Sequence, residues 1–345
     1  MLPKTQLKQI KEELDTCKKP LIFFDDDPDG LCSFLQFYNY IGNGKGVILK
    51  TSPELGESFT RQVDEFNPDK VFVLDKPKVS QDFIDKVKQK IVWVDHHEPV
   101  KRINVKYFNP RLFNLRDNAA TSSICYKVVM QDLWIAMVGT VGDWQLPDFT
   151  KEFIKKYPDL LPENVKTPEE ALYSTKLGRL VRIFSFILKG KTHDVMKCVK
   201  ILTRIKDPYE IIEKKTSQGK YIYKKYEAIN KEYIELLNDV LSKVTKDKIL
   251  IYLYEENKMS FTSDLSNELL FRFPEKIIII GREKSGEIKM SIRSSKIILL
   301  PLIKKALRGV DGYGGGHEYA CGTCVKKKDF EKFINQLKSS IFKTN

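Results

Sequence analysis

The sequence predicts an α/β protein with an N-terminal parallel sheet, a helical linker and a smaller C-terminal α/β domain. Three observations favour this fold class. From residue 20 to about residue 145, short β-rich apolar runs alternate with amphipathic stretches, which is typical of parallel strands joined by crossover helices. Residues 150 to 245 instead carry Lys, Glu, Tyr and Ile at helical spacing. A second β-rich unit begins at residue 246.

Four apolar runs are the predicted strands of the N-terminal sheet: LIFF (21 to 24), GVILK (46 to 50), VFVLD (71 to 75) and IVWVD (91 to 95). The segments between them have apolar residues three and four apart, as surface helices do. The apolar segment 119 to 144 is predicted to be one buried helix. We therefore expect three parts, residues 1–150, 151–245 and 246–345, of which the middle part ends in one long helix.

The charge balance favours an anionic partner. Lys and Arg number 59 against 46 Asp and Glu, a formal net charge of +13 that attracts a polyanion. A solvated Lys-rich surface is the alternative interpretation. No apolar stretch approaches the roughly 20 residues that span a bilayer, so we expect a soluble cytoplasmic protein without a membrane association. Its cysteines should be free thiols, with Cys321 and Cys324 buried on a strand.

An acidic cluster follows the first predicted strand. Asp25, Asp27 and Asp29 lie between LIFF and a helix, where their carboxylates would repel one another unless a cation is present. A hard divalent metal is the natural counter-charge, and ligands commonly bind at the carboxyl ends of parallel strands. An acidic turn with a helix-capping Asp and Gly30 is the alternative.

A second cluster strengthens the metal hypothesis. Asp95, His96 and His97 end another predicted strand, Asp75 closes VFVLD, and Asp143 ends an apolar helix. Helix or strand capping explains each Asp by itself. Together with two imidazoles, which bind Mn, Fe and Zn ions, these strand and helix ends predict a metal site in one domain.

A third cluster lies in the C-terminal part of the chain. Consecutive glycines let backbone N–H groups approach an anion closely, and a nearby Arg can hold phosphate through paired hydrogen bonds. A flexible loop is the alternative explanation for the glycines. The predicted phosphate-binding residues are Arg293, Ser295, Gly314, Gly315, Gly316 and His317.

In this order, DDDPDG, Asp75, DHH at 95 to 97, GD at 142 and 143, SIRSS and GGGHEYACG resemble the DHH phosphoesterase superfamily. The resemblance covers nearly the whole chain. It implies a catalytic N-terminal domain with two Mn²⁺ ions, for which Mg²⁺ could substitute, and a C-terminal substrate-binding domain. It further implies that Asp25, Asp95 and His96 are catalytic. The metal ligands it implies are Asp27, Asp29, Asp75, His97 and Asp143.

The first motif favours the RecJ-like branch, because Phe23 stands where the small oligoribonucleases have a metal-binding His and Asp25 supplies an extra acid. The leading functional prediction is thus an exonuclease that hydrolyses single-stranded DNA or RNA by a two-metal mechanism. Alternatives are an oligoribonuclease or cyclic-dinucleotide phosphodiesterase, and a non-catalytic replisome scaffold with replication or repair proteins as partners. Tyr221, Tyr223 and Tyr226 either stack bases or, as we favour, pack the linker helix.

Overall fold

The computed structural model describes residues 1–50, 54–255 and 259–342. The chain forms two compact units, Met1–Glu227 and Ala228–Asn345. The finer division at residues 150 and 245 remains a prediction, and the last three residues of its third part lie outside the described residues. Within the described ranges, no helix is both long enough and apolar enough to cross a membrane.

The first unit is built on the predicted parallel sheet. Its strands are β1 (Pro20–Asp25), β2 (Lys45–Leu49), β3 (Glu54–Leu55), β4 (Lys70–Leu74), β5 (Lys78–Val79), β6 (Lys90–Val94) and β7 (Lys106–Phe108). Five of them form one all-parallel sheet in the order β2-β1-β4-β6-β7, and β3 pairs with β5 separately. All four predicted strands are confirmed, whereas β3, β5 and β7 were not predicted.

Eleven helices belong to this unit within the described residues, and a twelfth begins in it and ends in the second unit. They are α1 (Lys4–Asp15), α2 (Pro28–Ile41), α3 (Thr60–Phe66), α4 (Gln81–Lys86), α5 (Thr121–Val129), α6 (Leu133–Gly142), α7 (Thr150–Lys156), α8 (Pro168–Ser174), α9 (Lys176–Ile187), α10 (Thr192–Leu202), α11 (Tyr209–Ile212) and α12 (Ser217–Ser242). The last of these is the predicted long helix. One apolar cluster packs sheet residues such as Phe23, Val73 and Trp93 against Val63 of α3 and Phe83 of α4.

The expectation of one buried helix over residues 119 to 144 is wrong. The segment forms two helices, α5 and α6, because Met130 and Asp132 adopt left-handed backbone conformations with φ of 50° and 57°. A residue with a left-handed backbone conformation ends an α-helix. The break places the N-terminus of α5 and the C-terminus of α6 near the carboxylates described below.

The second unit contains a mixed sheet. Its strands are β8 (Ile249–Tyr254), β9 (Ile277–Lys284), β10 (Glu287–Arg293), β11 (Gly312–Gly316) and β12 (Ala320–Lys326), and its further helices are α13 (Thr262–Arg272), α14 (Leu300–Ala306) and α15 (Phe330–Phe342). The strand order is β11-β12-β10-β9-β8, with β8 parallel to β9 and the other neighbours antiparallel. Apolar residues of α14 and α15, including Ile303 and Phe333, pack on one face of this sheet.

Two features of the second unit differ from expectation. The glycine-rich segment is the edge strand β11 rather than a loop, because its backbone pairs with β12 from Gly312 through Gly316. Helix α14 was not predicted. Cys321 and Cys324 are buried on β12 as expected, and all six cysteines are free thiols.

The tyrosines of α12 mainly pack the helix. Tyr223 and Tyr226 are buried and contact each other at a ring-centroid distance of 5.7 Å. These two residues therefore do not offer an exposed stacking surface for bases, and the packing interpretation is confirmed for them.

Candidate metal centre and substrate-binding residues

Three neighbouring strands end at one edge of the first sheet with an aspartate. Asp25 is the last residue of β1, and Asp75 and Asp95 directly follow β4 and β6. Asp75 N donates to the Val94 carbonyl at 2.9 Å, so backbone hydrogen bonding between the two strands continues as far as Asp75. Asp75 then turns the chain with φ of 59°, a conformation that is costly for a non-glycine residue and common at functional sites.

Residues at the N-terminus of α5 form hydrogen bonds with two of the acids, Asp29 and Asp75. Asp29 is almost fully buried, and its two oxygens accept hydrogen bonds from the backbone N–H groups of Thr121 and Ser122, each at 2.8 Å. Thr121 Oγ1 donates to Asp75 Oδ1 at 3.0 Å. The orphan amides and the positive dipole end of a helix favour a negative charge, so α5 fixes both acids.

His96 presents a lone pair to Asp75. Its Nδ1 lies 3.1 Å from the Asn118 carbonyl, which can only accept, so in a neutral ring Nδ1 carries the proton. The unprotonated Nε2 then lies 3.4 Å from Asp75 Oδ1. Two hydrogen-bond acceptors face each other at this distance, which is favourable only with a proton or a cation between or beside them.

His97 is oriented by Asp95. Nδ1 of His97 lies 2.7 Å from Asp95 Oδ1, which leaves Nε2 for another partner. Asp95 is fully buried, and its other oxygen accepts from the His97 backbone, from the Tyr107 hydroxyl and from the Asn109 amide at 3.1 to 3.3 Å. These contacts hold the Asp95 carboxylate against His97, while its predicted catalytic role stays a prediction.

Two sets of side chains have donor atoms close enough to share an ion. Donor atoms of Asp75, His96 and His97 lie within 4.8 Å of one another, and so do donor atoms of Asp29, His96 and Asp143. Carboxylate oxygen and imidazole nitrogen together suit Mn²⁺ and related divalent ions. His96 belongs to both sets, although the sequence assigned it a catalytic rather than a ligand position.

Asp27 lies beside these sets. Its carboxylate caps α2 by accepting a hydrogen bond from Gly30 N at 2.8 Å. The surrounding protein, which displaces water, and the charges of Asp29 and Asp25 raise the pKa of Asp27 to about 6. Asp27 thus caps a helix, as the alternative interpretation of the sequence has it, and it also lies among the other acids.

The electrostatics of the cluster favour a bound cation. Desolvation, followed by repulsion from Asp29 and Asp27, raises the pKa of Asp143 to about 9. The same causes in the same order raise the pKa of Asp75 well above its ordinary value. Without a counter-charge these carboxylates take up protons, whereas a divalent ion would stabilise them as anions. The residues therefore fit a divalent-metal centre.

Asp25 already has a counter-charge. The Lys76 ammonium lies 2.6 Å from Asp25 Oδ1, and Lys76 is only 3% exposed. Asp25 belongs to neither set of clustered donor atoms. Lys76 had not been predicted as a site residue, although it directly follows Asp75 at the end of β4.

Other supporting residues were also missed by the sequence analysis. Thr121, Tyr107, Asn109 and Asn118 hold the acids and imidazoles, yet each is 12 or more residues distant in sequence from at least one group that it orients. Polar residues after a short strand or before a helix are common, so the sequence carried no signal that separated them from ordinary caps.

In the second unit, the structure brings part of the predicted phosphate-binding set together. Arg293 pairs across the sheet with Ala320, and Gly316 pairs with Cys321, so both flank the beginning of β12. His317 N donates to the Ala320 carbonyl at 2.9 Å. The Arg293 guanidinium donates to Asn267 and to backbone carbonyls, which fixes its position.

The remaining members are less close. Gly314 and Gly315 continue β11 away from this end, opposite Thr323 and Gly322. The Ser295 hydroxyl donates to the Pro274 carbonyl and is thus held by a different loop. The structure groups Arg293, Gly316 and His317, while a phosphate-binding function for the whole set stays a prediction.

Two family models match the chain. The model described as "DHH family, N-terminal domain" matches residues 19–154, and the model described as "DHHA1 domain" matches residues 246–343. The former contains every acid and imidazole of the candidate metal centre, and the latter contains the predicted phosphate-binding set. No curated protein sequence matches the chain significantly.

Solved structures share the fold at low sequence identity. RecJ of Thermus thermophilus, in complex with Mn²⁺, is 14% identical with a TM-score of 0.70; the match covers 98% of this chain and 55% of RecJ. CDC45 of Entamoeba histolytica is 10% identical with a TM-score of 0.56, and the match covers 97% of this chain and 98% of CDC45. PggH of Vibrio cholerae, a pGpG-specific phosphodiesterase, is 13% identical with a TM-score of 0.51. The match covers 94% of this chain and 100% of PggH. The chain thus spans about half the length of that RecJ.

Proposed function

The chain belongs to the DHH superfamily and has a RecJ-like fold, and from this premise we propose that it is a divalent-cation-dependent phosphodiesterase. Its proposed substrate is single-stranded DNA or RNA, which it degrades as an exonuclease. Mn²⁺ is the proposed ion, with Mg²⁺ as the substitute. RecJ structures with each ion share the fold.

One observation carries the proposal. Acids and imidazoles from distant parts of the chain place their donor atoms within 4.8 Å in two overlapping sets, which share His96. A neutral His96 with its proton on Nδ1 has one free lone pair and could bind one ion only, so the second ion of the proposed pair would be held mainly by carboxylates such as those of Asp29 and Asp143. Asp25 and the buried Asp95 are better suited to holding Lys76 and His97 than to contacting substrate, and His96 is proposed as a ligand in addition to its catalytic assignment.

Divalent ions in such a centre would lower the pKa of a water molecule and offset the charge that develops on the attacking and leaving oxygens of the phosphodiester. The protein's own residues would organise the ions and the substrate. Asp29, Asp75 and Asp143 would supply negative charge at fixed positions, and Asp95 would keep the Nε2 lone pair of His97 directed toward the centre. The helix N-terminus at Thr121 prevents Asp29 and Asp75 from turning away.

Substrate recognition would use the second unit. Arg293 is held by hydrogen bonds beside Gly316 and His317, where its guanidinium and the glycine backbone could bind a phosphate. The formal net charge of +13 would favour the approach of a polyanion. These features support a nucleic-acid or nucleotide substrate.

A short-substrate phosphodiesterase is the second candidate function. It includes oligoribonucleases and cyclic-dinucleotide phosphodiesterases. The observation in its favour is the shared fold with the pGpG-specific enzyme, a match that covers all of that chain.

A replisome scaffold that has lost catalysis is the third candidate. Its support is the shared fold with CDC45. The clustered acids and imidazoles argue against it, because a chain without a metal-dependent reaction has no reason to hold so many uncompensated carboxylates together. Replication or repair proteins remain proposed partners of an active nuclease as well.

The proposal is tested with oligonucleotides of graded length, DNA and RNA, labelled at either end and incubated with Mn²⁺. We expect stepwise release of mononucleotides, with loss of hydrolysis in EDTA and in Asp75→Ala. Asp82→Ala removes an exposed carboxylate outside the centre and is the matched control. Hydrolysis confined to the shortest substrates would select the second candidate. Undiminished hydrolysis in Asp75→Ala would refute the metal centre, and absence of hydrolysis in the wild-type protein would favour the scaffold.

A further inference from the structure

Helix α6 ends in a Schellman motif at the candidate metal ligand Asp143. The backbone N–H of Gln145 donates to the Thr140 carbonyl at 3.1 Å, and that of Trp144 donates to the Val141 carbonyl at 3.0 Å, which are the two hydrogen bonds of this motif. Trp144 occupies the left-handed position with φ of 59°, where glycine is usual. The turn brings the Gln145 side chain back to the Asp143 carboxylate.

The amide of Gln145 is held in one orientation. Its Nε2 donates to Asp143 Oδ2 at 2.9 Å and to the Asn118 carbonyl at 2.6 Å, and its Oε1 accepts from the Ala120 backbone N–H at 3.0 Å. The carboxylate and the carbonyl can only accept, whereas the backbone N–H can only donate. A flipped amide would lose all three hydrogen bonds, so the positions of the amide nitrogen and oxygen are fixed by their partners.

These hydrogen bonds connect Asp143 to the other members of its set of donor atoms. The Asn118 carbonyl that accepts from Gln145 also accepts from His96 Nδ1 at 3.1 Å. Ala120 directly precedes the N-terminus of α5, whose backbone N–H groups hold the remaining acid of the set. One amide therefore links the three members of the second set.

Gln145 occupies one oxygen of Asp143 and leaves the other available. Oδ2 accepts from Gln145 and lies 3.7 Å from His96 Nδ1. Within the ranges that the structure describes, Oδ1 accepts no hydrogen bond. The Asp143 side chain is 28% exposed, so a carboxylate without the amide contact has room to rotate toward solvent. A hydrogen bond to one oxygen of a metal-binding carboxylate fixes the direction of the other.

We propose that Gln145 is a positioning residue for the second ion of the centre, because it fixes the Asp143 carboxylate with Oδ1 available as a ligand. The hydrogen bonds of the amide do not involve Asp75 or His97, so the ion of the first set depends less on Gln145. The inference rests on the proposed two-ion centre and assigns the occupancy of its second ion to a residue outside the predicted ligands.

The test counts bound Mn²⁺ ions rather than turnover. Calorimetric titration of the metal-free wild-type protein should show two binding sites, and electron paramagnetic resonance at two equivalents of Mn²⁺ should show the spin-coupled signal of a pair of neighbouring ions. Gln145→Leu removes all three hydrogen bonds at similar side-chain size. It should weaken the binding of one ion about 10-fold to 100-fold and replace the coupled signal by that of an isolated ion.

Gln81→Leu is the matched control, because Gln81 makes the same kinds of hydrogen bond elsewhere. Its Nε2 donates to the Asp85 carboxylate at 2.9 Å and to the Ile103 carbonyl at 3.2 Å, and its Oε1 accepts from the Ile103 backbone at 3.2 Å. Neither partner contributes to the two sets of donor atoms. This variant should bind both ions as the wild-type protein does. Circular dichroism in EDTA establishes that the variants are folded, and Gln145→Met replaces Gln145→Leu if the latter is unfolded.

Wild-type affinity for both ions in the Gln145 variant would overturn the inference and leave the metal centre intact. Equal losses at both sites would also overturn it, since Gln145 would then support the whole centre rather than its second ion. Binding of a single ion by the wild-type protein would refute the second ion and the inference, but not a one-ion centre. Absence of Mn²⁺ binding by the wild-type protein would refute the proposed centre together with the inference.

Discussion

The ammonium of Lys76 lies 2.6 Å from Oδ1 of Asp25, at the edge of the sheet where the other acids converge. Lys76 is nearly inaccessible, and the Asp25 side chain is 21% exposed. The pair gives one carboxylate of the first acidic motif a protein counter-charge, so that this acid does not depend on a metal ion. It also adds a fixed positive charge beside the centre.

This pair predicts unequal effects of the two single substitutions. Asp25→Asn leaves the buried ammonium without a partner and should lower the free energy of unfolding by about 3 kcal/mol. Lys76→Met leaves the more accessible carboxylate and should be less damaging. The double variant should be more stable than Asp25→Asn, since it removes the unpaired charge. Denaturant unfolding of the wild-type protein, the two single variants and the double variant measures the interaction free energy between the two residues. Additive effects of the two substitutions would show that the residues do not interact.

Asp95 should control metal affinity without contacting substrate. Asp95→Asn replaces the acceptor that holds Nδ1 of His97 and should weaken Mn²⁺ binding by about 10-fold to 100-fold. Calorimetric titration with Mn²⁺ measures the effect. Tyr107→Phe removes only a weaker contact to the same carboxylate and is the control, with a smaller expected change. Equal Mn²⁺ affinity in Asp95→Asn and the wild-type protein would contradict the orienting function.

The raised pKa of Asp143 predicts how pH affects the metal-free protein. Because that pKa rises from 3.8 to about 9 on folding, the folded protein keeps a proton that the unfolded chain releases between these values. Its stability in EDTA should therefore fall as pH rises through this window. Mn²⁺ displaces the proton, so it should raise the Tm more at about pH 8 than at about pH 6.

Thermal melts of the wild-type protein and Asp143→Asn, each in EDTA and in Mn²⁺, measure this dependence. The variant has no carboxylate to titrate at this position and should lose part of the pH dependence in EDTA. A wild-type Tm shift by Mn²⁺ that is independent of pH would be inconsistent with protonated acids in the metal-free centre.

Gly30 should be required by the backbone of the first motif. A Cβ at this position would lie 2.7 Å from both N and O of Asp25, and backbone atoms cannot move away without disturbing β1. Gly30→Ala should thus destabilise the protein by at least about 2 kcal/mol. Gly56→Ala is the control, because a Cβ there meets no atom within 4 Å. Similar unfolding midpoints for the two variants would show that the turn has more space than the structure indicates.

The sheet and the acid positions were predictable because they depend on local patterns. Apolar runs of strand length ended in Asp25, Asp75 and Asp95, and parallel strands end at a common edge. The pairing of Lys76 with Asp25 depends instead on two residues 51 positions apart in neighbouring strands. No local pattern distinguishes that lysine from a surface residue at a strand end.

The helix break between α5 and α6 was not predictable for a related reason. Residues 124 to 141 are mostly apolar, so the hydrophobic pattern runs through the break without interruption. Asp132, one of the two left-handed residues at the break, is held by a tertiary contact, because Asn39 donates a hydrogen bond to its carboxylate at 2.8 Å. Sequence periodicity does not contain that information.

The most direct test is the anomalous diffraction of a crystal soaked in Mn²⁺. We expect strong anomalous peaks in contact with Asp75 and with the Nε2 atoms of His96 and His97. One of these peaks should also contact Asp143. Peaks absent at these residues at millimolar Mn²⁺, or located only at unrelated surface acids, would contradict the proposal that these side chains form a metal centre.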